Sequence, residues 1–177
     1  MERILRDRIE PGVRVLFVGI NPGLWTAAVQ AHFARRGNRF YPALFRAGIV
    51  GRVIDASAGY TAADRAHLLE RGLGVTNLAP RPTARADEVT AEELIAGVDR
   101  LARLVAHVQP AVVAVLGITA YRTAFQQPKG KAGKQLLDMG PSEVWVLPNP
   151  SGLNAHASLD TLAAAFREVA KVAGVLP

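Results

Sequence analysis

A chain of 177 residues, half of them hydrophobic, can bury a sizeable core and suits one domain. The absence of cysteine excludes disulfides, thiolate metal sites and cysteine-held iron–sulfur clusters. Lysine and arginine number 21 against 15 aspartates and glutamates, a net charge of +6 that suits an anionic partner, and no apolar run approaches the length of a membrane span.

The opening MERILRDRIEPG is charged throughout, so no export signal is expected and the expected location is the cytoplasm. VRVLFVG (13–19) then reads as a buried strand, interrupted only by Arg14. It stops at Gly19, and Asn21 stands on a Pro22–Gly23 turn. ARRGNR follows, a glycine-containing basic stretch with Arg35, Arg36 and Arg39. NRFYPALFRAG carries Phe40, Leu44 and Ala47 at helical spacing, with Gly48 as a stop. TAADRAHLLERG predicts a helix from Thr61 to Gly72, and LGVTNL (73–78) a second strand.

TAEELIAGVDRLARLVAHVQP opens on Thr90 with Glu93 three residues later, a capping box, and Pro110 bars continuation. AVVAVLG (111–117) predicts a third strand and TAYRTAF (119–125) a helix. PKGKAGK reads as a second basic loop, with Lys129, Lys131 and Lys134. EVWVLP (143–148) predicts a fourth strand and SLDTLAAAFREVAKVAG (158–174) the last helix. Strands separated by helices imply parallel βαβ units with helices on both faces, an α/β class. No repeat or linker divides the chain, so 1–177 is expected to be one domain.

Ligands of such sheets bind beyond the carboxyl ends of the strands. Three predicted strands end in Asn-, Pro- and Gly-rich exits: GINPG, TNLAPRP and LPNPSGLN. If they converge on one edge, they make a single site that displays Asn21. Other chemistries fit poorly. His32, His67, His107 and His156 lack metal-ligand spacing, and Ser151 is not in a GxSxG elbow. Neither a P-loop nor GxGxxG occurs. The two basic stretches are either ordinary solubilising surface or a phosphate-binding face.

The ordered set GINPG, NRF, GVTN, RPT and LPNPSGLN, from about Arg14 to Ala165, resembles mismatch-specific uracil-DNA glycosylases. These are bacterial counterparts of thymine-DNA glycosylase within the uracil-DNA glycosylase superfamily. The resemblance implies a three-layer α/β/α domain with a short, mainly parallel central sheet. It implies hydrolysis of the N-glycosidic bond of a uracil flipped out of double-stranded DNA, chiefly from G·U mismatches. No cofactor or metal is implied, nor a lyase step, since no lysine stands in the pocket motifs. The expected partner of this monomer is duplex DNA carrying G·U or related damaged bases, with no membrane.

By the same resemblance, Asn21 positions the attacking water. Gly19, Ile20, Pro22 and Gly23 belong to the base pocket, and the backbone N–H groups that this turn has (Pro22 has none) could face the uracil oxygens, since its glycines allow close approach. Thr26 lies near the C5 edge and Phe33 stacks on the base, or else is a packed core ring. Asn38 holds the pocket loop, and Asn77 lies near the pocket. Asn149, Pro150, Ser151 and Asn154 build a loop on the DNA backbone, in which Gly152 and Leu153 form a wedge. Lys129, Lys131 and Lys134 lie with the backbone contacts.

Two departures stand out. The family pattern has an arginine two residues beyond the wedge leucine, where this chain has Ala155, with His156 as a partial substitute. It has asparagine where this chain has Asp87, either a solvated residue ahead of the Thr90 helix or an extra catalytic carboxylate. The competing reading is a catalytically weak binding protein for mismatched or single-stranded DNA on the same fold.

Overall fold

The computed structural model describes residues 4–177; the charged opening stretch begins in residues 1–3, outside that range. Five strands form one sheet: β1 (Val15–Gly19), β2 (Leu73–Asn77), β3 (Val112–Leu116), β4 (Gly133–Met139) and β5 (Ser142–Leu147). Their order is β2-β1-β3-β5-β4. The first four in that order run parallel, and β4 closes one edge antiparallel to β5. The helices are α1 (Leu24–Val29), α2 (Phe40–Arg46), α3 (Ala62–Glu70), α4 (Ala91–Val108), α5 (Ile118–Ala124) and α6 (Leu159–Val172). None is long and apolar enough to cross a membrane.

Alternation along the strands builds the layers. Val15 and Phe17 face one core, shared with Phe40 and Leu44 of α2 and Leu162 and Phe166 of α6. Leu16 and Val18 face the other, shared with Leu94, Leu101 and Val105 of α4 and Tyr121 of α5. A strand covered on both faces reads as one continuous apolar run, and each fully buried side chain of this size contributes about 1.5–3 kcal/mol. The result is the expected three-layer α/β/α fold with a mainly parallel sheet.

The helix ends follow their capping chemistry. Thr61 and Asp64 close a reciprocal capping box at α3, and Thr90 and Glu93 close another at α4. Ser158 Oγ accepts from Thr161 N at 3.1 Å at the start of α6.

Two elements depart from the sequence expectation. α1 is six residues long and starts after Gly23, which offers no side-chain cap. The second is β4, which includes Lys134 and so corrects the reading of PKGKAGK as wholly loop. Its adjacent Leu136 and Leu137 break the apolar–polar sequence pattern of a strand, although burial alternates regularly along it and Leu136 is fully exposed. Lys134 Nζ pairs with Glu143 on β5 at 3.1 Å.

Candidate functional site

Parallel strands place all their carboxyl ends on one edge, and a cavity of about 830 Å³ opens there. It is lined by the expected Gly19, Ile20, Asn21, Pro22, Gly23, Thr26, Phe33, Asn38, Asn77 and Asp87. Asn149, Pro150, Ser151, Leu153, Asn154 and His156 join them from the loop after β5. Gly152, Lys129, Lys131 and Lys134 do not line it. A fourth exit, Gly117–Ala120 after β3, also contributes, as do His32 and Thr83.

Asn21 is held by its amide nitrogen. Nδ2 donates to Thr83 Oγ1 at 2.7 Å, Arg81 O at 2.9 Å and Pro22 O at 3.2 Å. Thr83 Oγ1 in turn donates to Arg85 O at 2.6 Å, so its oxygen is an acceptor toward Asn21. Every partner on this side is an acceptor, which fixes which end of the amide is NH₂. The Oδ1 atom accepts no hydrogen bond from the described residues. The turn itself is tied to the loop after β2: Leu78, Ala79 and Thr83 N–H groups donate to the Gly19, Ile20 and Pro22 carbonyls.

Phe33 and Asn77 approach Gly19 from two directions. A Cβ on Gly19 would stand 2.5 Å from Asn77 Oδ1 and 3.5 Å from the Phe33 ring, so any larger residue there would displace the Asn77 amide. Asn77 is 8% exposed, and its side chain makes no hydrogen bond among the described residues. Phe33 packs on Phe40 with centroids 4.2 Å apart and has φ +55. That left-handed conformation costs a non-glycine residue on the order of 1–3 kcal/mol. It is clamped on both sides. His32 N donates to Tyr60 Oη at 3.1 Å, Tyr41 Oη donates to His32 O at 2.7 Å, and Ala34 N donates to Thr26 Oγ1 at 3.2 Å. Asn38 Oδ1 accepts from Phe40 N at 2.9 Å, at the start of α2.

The loop after β5 is knitted by its own side chains. Asn149 Oδ1 accepts from Ser151 N at 2.9 Å, Asn154 Nδ2 donates to Asn149 O at 3.0 Å, and Asn154 Oδ1 accepts from His156 N at 3.1 Å. Leu153 is left 78% exposed. Gly152 lies against Gly37, where a Cβ would be 2.5 Å from the Gly37 carbonyl oxygen.

Arg39 is not the surface cation that the basic stretch suggested. Its guanidinium donates to Ser151 O at 2.9 Å, to Asn154 O at 2.8 Å and to Ala157 O. Arg35 and Arg85 do stand at the cavity rim. Asp87 sits in a 3₁₀ turn over Ala86–Glu88, where its exposed carboxylate pairs with Arg85 Nε at 3.0 Å.

His32 is a cavity wall that the sequence offered no reason to choose. Burial lowers its pKa to about 4, with the nearby Arg8 charge acting in the same direction against a backbone hydrogen bond to Arg6 O. The folded chain therefore keeps the ring neutral, while an unfolded chain protonates it near pH 6.5. Stability is full above that value and is lost as pH falls toward 4, by on the order of 3 kcal/mol. Denaturant unfolding across this range checks it: the loss should be smaller in His32→Gln, and an equal loss in both proteins would assign it to another group.

No group of three or more His, Cys, Asp or Glu that could hold a metal occurs among the described residues. The sequence pattern of the Uracil DNA glycosylase superfamily matches residues 7–171. Among solved structures, the chain resembles the solution NMR structure of a "putative Uracil DNA glycosylase" from Methanosarcina acetivorans, with TM-score 0.65 and 18% identity. The likeness covers 95% of this chain and 98% of that one, and at that identity it speaks for the fold.

Proposed function

Because this chain belongs to the uracil DNA glycosylase superfamily, we propose that it excises uracil from DNA, chiefly from G·U mismatches, by hydrolysis without a lyase step. The observation that carries the reading is the meeting of Phe33 and Asn77 at Gly19. A flipped pyrimidine needs an aromatic face to stack on and an amide to pair with its polar edge. The Asn77 amide makes no hydrogen bond to the described residues and lines the cavity, so its donor and acceptor are open to a ligand. Asn21 then supports the second half of the chemistry: with Nδ2 pinned, Oδ1 is left to accept a hydrogen bond from the attacking water. An amide is no general base at neutral pH, so the water is oriented and the departing uracil is stabilised by the donors around its oxygens. Asp87, paired at the rim with Arg85, is assigned no part in water activation.

The test uses labelled DNA carrying G·U, A·U and G·T pairs and single-stranded uracil. After incubation, strand breaks should appear at G·U only upon alkali treatment. Breaks before alkali would reveal a lyase. Tight binding without any breaks would support the binding-protein reading instead.

The Thr26 contact sharpens the base-choice assignment. Its hydroxyl is committed to Ala34 N, which holds the turn at Phe33. Thr26→Ala would therefore disturb the ring as well as open space. Thr26→Ser keeps the hydroxyl and deletes only the methyl. One methyl in a pocket is worth about 1–3 kcal/mol, or roughly 10–200-fold in discrimination. Thr26→Ser should narrow the ratio of kcat/KM on G·U to that on G·T by raising the latter. An unchanged ratio would remove Thr26 from base selection.

A further inference from the structure

We propose that Arg39 is the positioning residue of the Leu153 wedge, holding from the start of α2 the loop that carries it. The inference rests on the base-excision reading above. Arg39 makes four hydrogen bonds to this loop: its backbone N donates to Pro150 O at 2.9 Å, and its guanidinium donates to the carbonyls of Ser151, Asn154 and Ala157. These acceptors flank Leu153 on both sides. No carboxylate among the described residues forms an ion pair with Arg39, so its charge is directed at the loop carbonyls. Charge-assisted bonds of this kind are about twice as strong as neutral ones, and the planar guanidinium reaches three carbonyls that no other side chain spans.

The same short segment also touches the base platform. Gly37 receives Gly152, Asn38 bonds Phe40 N, and Phe40 packs on Phe33. Residues 37–40 thus join the ring proposed to stack on the flipped base to the leucine proposed to fill the space it leaves. A wedge works only if it is already in place when the base pair opens, because ordering it at that moment costs conformational entropy. Arg39 spends nothing on DNA directly and acts through the position of Leu153.

This predicts a substrate-dependent defect. Single-stranded DNA has no stack to be wedged, so Arg39 should matter for duplex and not for single strands. The experiment compares single-turnover uracil release from a G·U duplex and from single-stranded uracil DNA for wild type, Arg39→Gln, Leu153→Ala and the double variant. Arg39→Gln should lower the duplex rate by up to on the order of a hundredfold, the scale of an ångström-level misplacement, and leave the single-strand rate unchanged. The double variant should be no slower than Leu153→Ala alone, and Arg39→Lys should recover part of the loss. Equal losses on both substrates, or additive losses in the double variant, would overturn the proposal. Should Arg39→Gln fail to fold, Arg39→Lys carries the same comparison. Should wild type release no uracil, the glycosylase reading falls separately. Extrusion of 2-aminopurine from duplex DNA then decides for Arg39: a matched loss in Arg39→Gln and Leu153→Ala supports it, and undiminished extrusion overturns it.

Discussion

Asn21→Ala is expected to slow uracil release by on the order of a hundredfold or more while leaving DNA binding nearly intact, the scale seen when one preorganised polar group is removed from a reacting centre. The geometry explains why the amide is hard to replace. Three acceptors surround Nδ2, and two of them are backbone carbonyls of Pro22 and Arg81. Asn21→Asp keeps the shape but sets a carboxylate oxygen against those carbonyls, so it should rescue little despite offering a stronger base. Thr83 and Arg81 are thereby part of the same orientation device. Single-turnover rates and a binding titration on uncleavable DNA separate the two effects. Near-normal turnover in Asn21→Ala, or full rescue by aspartate, would remove the oriented-water role.

Phe33→Ala should weaken productive binding of the flipped base by roughly 1–3 kcal/mol, or about 5- to 150-fold in kcat/KM. The ring also packs on Phe40, so alanine will cost stability as well. Phe33→Leu distinguishes the two, because it refills most of the volume and offers no aromatic face. If the ring stacks on the base, Phe33→Leu regains stability but not kinetics. If it is only a core ring, Phe33→Leu should match wild type in turnover per folded molecule.

What the sequence made legible was whatever is local. The runs VRVLFVG and AVVAVLG announce strands covered on both faces, and Thr90 with Glu93 announces a helix start that the structure shows as a capping box. α1 was not legible, because it is short, starts at a glycine and has no acidic first turn. β4 was hidden by its opening Gly133 and Lys134 and by its paired leucines at an exposed edge. In the site, Asn21 could be singled out from its own motif, yet its orientation depends on Thr83, 62 residues away. Arg39 reads as one cation in a basic stretch, and only tertiary structure brings it to Ala157, 118 residues on. His32 carries no local signal at all, since what makes it unusual is burial.

The strand order has a consequence for how this protein comes into being. β4 and β5 are joined by a two-residue turn and can pair early, whereas β1 must find β2 and β3, both distant along the chain. Pairings that close long loops are slow, because the entropy is lost before the contacts reward it. The cavity is walled by the exits of β1, β2, β3 and β5, one from each parallel strand. A chain that has not made all three parallel pairings therefore lacks the complete cavity, because each pairing brings in one of its walls: the Asn21 turn needs only β1 and β2, whereas the Leu153 loop joins it only once β3 and β5 are in place.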